Sequence, residues 1–576
     1  MFNTQRPEVL PKNSPWLTRQ PDRTVLAVVH NVTAATRLFD VLPLLATDPR
    51  IQVHFTCPES SPFHGQIAEY FTAREVTPIP WDLAATTEFD LAVAASHGGP
   101  LHDLNAPLII LPHGMGYNKY LDRKPETGNR KPETGNRKPE TGNRKPVFGM
   151  SPEWLLHEGE LVASSLVFSH TEQLDRLRAS CPAALDAAVV TGDAALDRML
   201  ASIPLRRTYR DAFGVQDGQR LIFVSSTWGP DSLYGTAPAL IQRLRAELPL
   251  DDYVLAVALH PNTWSAHSPW QIHRWLGACA RAGVVVVPPE EGWRAALVAA
   301  DLVVGDHGSV TFYAGALGKP VLLANSAGHT VDPASAVGRF VAAADHVEAS
   351  ALLPQVEHAI ARGQSPEQRE AAALASSAPL KSFALLREEF YRLLALPEPD
   401  RPALTPAVPV LHATPRSPAA QAVEVTLTYE RGVLHATARR FAAELAAQGC
   451  PPPQGAHLVV SSDEPDQDML QLADIVVHEG PGDAKAWITD TLSALPGAML
   501  SSMPVDDTTW LVGTRDGGLL SFTAPGPHGR TCASVVLSWL ISGHSLHAFP
   551  QHVELLTGTT RSSGKPIACT YQSATA

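Results

Sequence analysis

Residues 301–324, DLVVGDHGSVTFYAGALGKPVLLA, restrict the fold more than any other stretch of the chain. Leu302-Val303-Val304 reads as a strand with two apolar faces, and such strands are buried on both sides, as in parallel sheets wrapped by helices. The strand enters a Gly-Asp-His-Gly-Ser turn and then a helix over about 310–317. Gly318 stands where a left-handed cap belongs, Pro320 stops the helix, and a second apolar strand starts at Val321. A glycine-flanked turn between a parallel strand and a helix N-terminus offers unpaired N–H groups and the positive end of the helix dipole to an anion. Ligands of open α/β sheets lie in the crevice at the carboxyl ends of the strands. The anion expected there is phosphate, as the diphosphate of a nucleotide-linked donor.

The same passage recurs along the chain. Between 24 and 200, apolar runs at 24–30, 51–57, 90–96, 107–114, 163–169 and 188–191 alternate with helical stretches. A second series begins at 220–229 and continues through strands at 253–262 and 284–289, with helices at 237–248, 270–283 and 292–300. This pattern predicts α/β architecture: two doubly wound Rossmann-like domains, 1–205 and 206–396, with a ligand cleft between them. The helix at 381–395 closes the second domain. Seven prolines between Pro397 and Pro418 predict a semi-extended linker over 397–420. Residues 421–576 read as a separate α+β domain with a helix at 433–448, a strand at 457–462 and a hairpin turning at Asp516-Gly517.

Between Arg123 and Pro146, RKPETGN repeats three times in tandem and begins a fourth copy. Each unit has no apolar residue able to pack, so 123–146 is expected to be a disordered insertion in the first domain. It reads as a tolerated expansion or as a basic tether beside the cleft.

Composition removes several classes. A net charge of −13 offers no footprint for nucleic acid. Six scattered cysteines without a CxxC pair argue against a disulfide framework and a zinc site, and suit a reducing compartment. The first residues lack the apolar stretch of a signal peptide, and no run approaches the roughly 20 apolar residues of a membrane span. The expected location is the cytoplasm, with membrane contact at most peripheral, at the inner face. GxxxxGK[ST], HExxH, GxSxG and a GxGxxG after the first strand are all absent. No metal and no cofactor is called for, only a nucleotide-linked donor.

The candidate site residues follow strands. In PHGMGYNK, His113 ends a strand and can serve as general base, while Gly114 and Gly116 let the chain bend or approach a ligand. His260 ends a strand before a proline. Ser225, Ser226 and Thr227 follow another and could offer hydroxyls and N–H groups to phosphate, although such residues also cap helices. Asp306, His307, Ser309 and Thr311 form the densest cluster. His30, His97 and His170 are further strand-end groups that would line the acceptor side. Glu290-Glu291 is expected to cap the following helix. The acidic loop 463–468 is expected to be a solvated loop.

These residues resemble motifs of the glycosyltransferase-B superfamily and, within it, the CDP-glycerol:glycerophosphotransferase family of teichoic-acid synthesis, a cell-envelope polymer. PHGMGYNKYL is similar to that family's His-Gly-x-Pro-x-Lys segment, ALHPN to its His-Pro segment, and GDHGSVTFYAGALGKPVLL to its Asp-x-Ser-Ser segment. The resemblance covers about 24–395. It implies His113 as base, Lys119 as a cation beside phosphate, His260 at the donor diphosphate, and Asp306, Ser309 and Thr311 at matching positions. Gly308 stands where the family often has serine, and Tyr313 where it often has an acid. The implied activity is transfer of a glycerophosphate or glycosyl group from a nucleotide-diphosphate donor to an acceptor hydroxyl, the acceptor being a glycan or lipid-linked molecule. A nucleotide-sugar glycosyltransferase or epimerase, and a non-catalytic nucleotide- or partner-binding protein, are the alternatives.

Overall fold

The computed structural model of the chain describes residues 9, 12, 14–58, 67–121, 145–325, 328–411, 417–524 and 528–558, with the backbone alone at 567–573. The RKPETGN copies at 122–144 lie outside the described residues.

Apolar runs buried on both faces form two six-stranded parallel sheets. The first contains β1 (Arg23–Val28), β2 (Ile51–Thr56), β3 (Leu91–Ala94), β4 (Leu108–Ile110), β5 (Ser165–Phe168) and β6 (Ala188–Val190), in the order β2-β1-β3-β4-β5-β6. The second contains β7 (Arg220–Ser226), β8 (Tyr253–Leu259), β9 (Val285–Val286), β10 (Leu302–Gly305), β11 (Val321–Leu323) and β12 (Asp345–His346), in the order β9-β8-β7-β10-β11-β12. Strand order reverses between β1 and β3 in one sheet and between β7 and β10 in the other. Those reversal points are where such sheets hold ligands. Helices cover both faces, and the strand carbons of Val25 to Val28 and Leu302 to Val304 are fully buried. Each sheet is a doubly wound parallel one, so this part of the chain consists of two Rossmann-like units.

Buried charge ties the two units together. Asp40, on the helix Val32–Val41, accepts from Arg294 of the second unit at 2.6 Å and from Arg198 of the first, with Arg37 at 3.4 Å. Tyr313 donates its hydroxyl hydrogen to Asp193 at 2.7 Å across the same boundary. Arg176 and Asp332 form a third link at 2.8 Å. The helix Ser382–Leu394 also crosses back. Its Leu386, Phe390, Tyr391 and Leu394 share a core with Val25, Val41 and Val93 of the first sheet. The residues after it are pinned rather than free: Arg198 donates to the Ala407 carbonyl at 2.9 Å, Tyr209 to that of Val408 at 2.7 Å, and Val408 is buried.

Nine strands from Ala420–Glu430 to Ile567–Ser573 close into a mixed barrel around the helix His528–Ile541, which is buried on every side from Gly529 to Leu537. The helix expected at 433–448 is instead the strand Val433–Ala442. Its alanines and arginines favour a helix in isolation, but Leu434, Ala436 and Ala438 alternate inward while it pairs with Ala420–Glu430 on one side and His552–Thr557 on the other. The hairpin at Asp516-Gly517 joins Thr509–Thr514 to Leu519–Thr523. In the acidic loop, Asp466 caps the short helix Gln467–Leu472. The barrel docks where β8 begins, through Arg440 on Asp251 at 2.6 Å and the amide of Leu250 on the Arg440 carbonyl at 2.7 Å.

Removing the charge of Asp40 would leave three buried guanidiniums without their common anion. Asp40→Asn should cost about 3–5 kcal/mol in urea unfolding, whereas Asp345→Asn, on the exposed pair with Arg362, should cost under about 1 kcal/mol. Equal losses would contradict the role of the buried cluster.

Candidate functional site

A cavity of about 990 Å³ opens between the carboxyl ends of the two sheets. Each strand beside a reversal point delivers residues to it. From the first sheet come His30 and Asn31 after β1, Ser96 to Pro100 after β3, and His113 to Leu121 after β4. From the second come Ser225 to Trp228 after β7, His260 to Asn262 after β8, and Gly308 to Val310 after β10. Of the residues named from sequence, His113, Lys119, His260, Ser225, Ser226, Thr227, Ser309, Gly114, Gly116, His30 and His97 line this one space.

Four do not. Asp306 is 1% exposed and turns into the protein, where its carboxylate accepts from the amides of Thr227 (2.8 Å), Leu233 (2.8 Å) and Gly308 (3.0 Å). It ties the loops after β7 and β10 together. Burial raises its pKa, against the pull of those three amides. Thr311 is buried with its hydroxyl turned back on Gly305, where a Cβ would collide with it. His307 is buried beyond the cavity wall, and burial pushes its pKa down to about 4. His170 accepts from the Glu172 amide at 3.0 Å at the start of its own helix. Likewise Glu291 accepts from the Gly292 amide at 3.0 Å, while Glu290 reaches the cavity. At Gly308 a Cβ would lie 3.1 Å from the Asp306 carboxylate and 3.3 Å from Thr227 Cβ, so a serine here would have to push those neighbours back by a few tenths of an ångström.

The hydrogen bonds fix which histidine nitrogen carries the proton. His113 Nδ1 donates to the Ala95 carbonyl at 3.0 Å, which leaves Nε2 with a lone pair. His260 Nδ1 accepts from the Asn262 amide at 3.1 Å, so Nε2–H is its donor. One ring can take a proton and the other can offer one. Burial pushes His113 down to about 4, with the charges of Arg37 and Lys119 acting in the same direction, and pushes His260 down to about 3. Both are therefore neutral at pH 7.

On the second-unit wall the helix Ser309–Ala316 begins at Gly308 without a side-chain cap, so its first N–H groups face the cavity without that competition. Lys119 faces the same wall, its charge felt by Asp306, His260 and His307. Burial lowers its pKa, and no hydrogen bond occupies its Nζ among the described residues. Ser309 also serves the unit boundary, where its hydroxyl oxygen accepts from the Met115 amide at 3.1 Å. A Cβ at Gly114 would come 2.9 Å from that oxygen, so the close approach requires glycine. Ser226 is engaged too, accepting from the Tyr234 amide at 3.0 Å.

Sequence reasoning missed Arg37, Phe148, Trp154 and Trp293, which also line the cavity. Arg37 donates to the His113 carbonyl at 3.2 Å and lies over the Trp293 ring at 5.3 Å. It sits on a helix face, where strand-end reasoning has no reach. Phe148 follows the repeat and stands 5.9 Å from the His113 ring.

No family model matches the chain, and no curated protein matches its sequence. Its structure is similar to that of the wall teichoic acid polymerase TagF, with 12% identity and a TM-score of 0.42, over 66% of this chain and 90% of that one. It is also similar to S. aureus MnaA solved with UDP, with 12% identity and a TM-score of 0.37, over 66% and 100%. A third is the UDP-GlcNAc 2-epimerase of Methanocaldococcus jannaschii, solved with UDP-GlcNAc and UDP, with 12% identity and a TM-score of 0.39, over 64% and 99%. No helix among the described residues is long and apolar enough to cross a membrane.

His30, His97, His113, His260 and His307 are all held neutral by burial, with values of about 3 to 4 against an ordinary 6.5. Between pH 6.5 and 4 the unfolded chain binds protons that the folded one refuses. Stability should therefore fall as pH drops through that window, by up to about 1.4 kcal/mol per pH unit for each histidine. Thermal denaturation at pH 7, 6, 5 and 4.5 measures this, and an unchanged midpoint would contradict it.

Proposed function

We propose that the protein transfers a group from a nucleotide-diphosphate-linked donor, of the CDP-glycerol kind, to an acceptor hydroxyl. One observation carries the reading: an uncapped helix N-terminus with Lys119 before it on one wall of the cavity, and the free lone pair of His113 Nε2 also lining it. The first suits phosphate and the second suits a hydroxyl proton.

The donor's phosphates lie against the amides of Ser309 and Val310, with Lys119 and the Nε2–H of His260 supplying positive charge and a hydrogen bond. The acceptor hydroxyl approaches His113. As its oxygen bonds to the transferred group, its proton passes to Nε2 and the bond from that group to the nucleotide breaks. Charge developing on the departing phosphate is held by the same amides and Lys119, fixed beforehand and away from bulk water. Arg37 on the His113 carbonyl and the Ala95 carbonyl on Nδ1 hold the ring in place. The ring takes up the acceptor proton during transfer and returns it to solvent on product release.

A thermal-shift screen with CDP-glycerol, CDP-ribitol, UDP-sugars and GDP-sugars tests the donor assignment, because a ligand of the folded state raises the midpoint by mass action. At least one donor should stabilise the protein, and stabilisation by none would end the proposal. With that donor, His113→Ala should lower turnover by about 10²–10⁴-fold while donor affinity stays within twofold. Because His113 titrates at about 4, kcat/KM should stay level from pH 8 to 6 and fall only on approach to pH 4. An acid limb centred near 6.5 would point to a different base.

A further inference from the structure

One carboxylate lies inside the contact between the barrel and the second unit, and the charges around it are committed elsewhere. Glu444 stands between Ala442 and Leu445, which share a core with Ile241 and Leu244 of the helix Leu240–Glu247. Its Oε1 accepts from the Ala420 amide at 3.1 Å, at the start of the strand Ala420–Glu430. Its Oε2 is buried and has no hydrogen-bond partner among the described residues. Arg440 pairs with Asp251 at 2.6 Å and Arg530 with Glu479 at 3.4 Å. Arg245, which feels the charge of Glu444, donates to the carbonyls of Tyr253 at 3.0 Å and Leu248. Arg243 and Glu247 pair with each other at 3.2 Å.

Taking a carboxylate out of water favours its neutral form unless cations or hydrogen bonds repay the loss. Glu464, 6% exposed in the loop after the strand His457–Ser461, adds a second negative charge. It outweighs the attraction of Arg281, at the end of the helix Gly277–Arg281. Burial, with Glu464 in the same direction, raises Glu444 to about 7 against the amides of Glu444 and Ala420. The other titratable groups of this contact behave differently. Burial lowers His528, beside Arg440 and Asp251, so its protonation would loosen the contact in acid, and burial raises Cys279 and Cys450. Lifted from the second unit, Glu444 meets water and returns toward 4.5, its ordinary value. The docked form thus keeps a proton that the open form releases. Opening therefore grows as pH rises, about tenfold per unit from 5 to 6.5, and levels off above 7.

We propose that a proton on Glu444 latches the barrel to the second unit, so that acid closes this contact and neutral pH loosens it. The latch needs neither the cavity nor the transferase reading. Hydrogen exchange of the full chain reads it at the Leu250 amide, which donates to the Arg440 carbonyl across the junction at 2.7 Å. After correction for the chemical exchange rate, opening there should rise about twentyfold from pH 5.5 to 7.5. In Glu444→Gln, which keeps the shape but cannot ionise, the rise should shrink below about twofold. Opening of that variant at pH 7.5 should match the parent's at pH 5.5. Glu464→Gln, which still accepts from the Asp466 amide, lets Glu444 ionise more readily while docked and should cut the rise below about tenfold. It decides the matter if Glu444→Gln fails to fold. A parent response under twofold or of opposite sign overturns the latch, as does an unchanged response in a folded Glu444→Gln or Glu464→Gln. An equal rise at the buried amides of Val25 to Val28 marks global unfolding and overturns it too.

Discussion

The site depends on one buried carboxylate. Asp40 holds Arg37, Arg198 and Arg294, and those guanidiniums come from both units. A buried ion cluster contributes little net stability, because desolvating its members offsets most of their attraction. Its value lies in geometry: any other docking of the units strands charges out of water. Arg37 carries that constraint into the chemistry, since the same guanidinium that faces Asp40 also donates to the His113 carbonyl and covers Trp293. The distance between the two walls of the cavity is therefore set by a contact that itself touches no ligand.

A second constraint acts on the loop after β4. Tyr117 holds φ at 65°, a conformation that an aromatic residue rarely adopts. Contacts from both units secure it. Its hydroxyl donates to the Val167 carbonyl at 2.8 Å, and Arg176, paired with Asp332, donates to its own carbonyl. Asn118 and Tyr120 then join residues 330–332 of the second unit, and Lys119 bridges to Val331. Lys119 belongs to the first unit by sequence but is positioned by the second. Strained backbone held this firmly fixes where Lys119 stands in the cavity wall, as the proposed contact with a donor phosphate would require.

Most of the strands were legible because the signal is local. A parallel strand must be apolar on both faces, and its carboxyl end must change to polar residues, so β1, β3, β4, β7, β8 and β10 can be read with the groups that follow them. What a side chain does after leaving a strand end is not local. Asp306 looks like a ligand in sequence, yet three amides from two loops draw it inward. Tyr313, set where an acid was expected, meets its acid from elsewhere, Asp193. Residues 433–442 have helix-favouring composition, and only pairing with strands up to 120 residues away makes them a strand. Each of these outcomes depends on long-range partners, which composition and period do not encode.

The barrel stands apart from this machinery, since none of its described residues lines the cavity. It is attached where β8 begins, through Arg440 on Asp251, and along the helix Leu240–Glu247, whose core takes in Ala442 and Leu445, while His260 follows the other end of β8. That strand pairs with β7 along its length and with β9 beyond its middle. Central strands transmit displacement poorly along their axis without breaking several ladder bonds at once. A ligand or partner on the barrel would therefore act on the site by moving the whole second unit, and the Asp40 cluster would have to yield first. The barrel is thus fastened to the second unit away from the cavity, through Arg440 on Asp251 and through Ala442 and Leu445 in that unit's core.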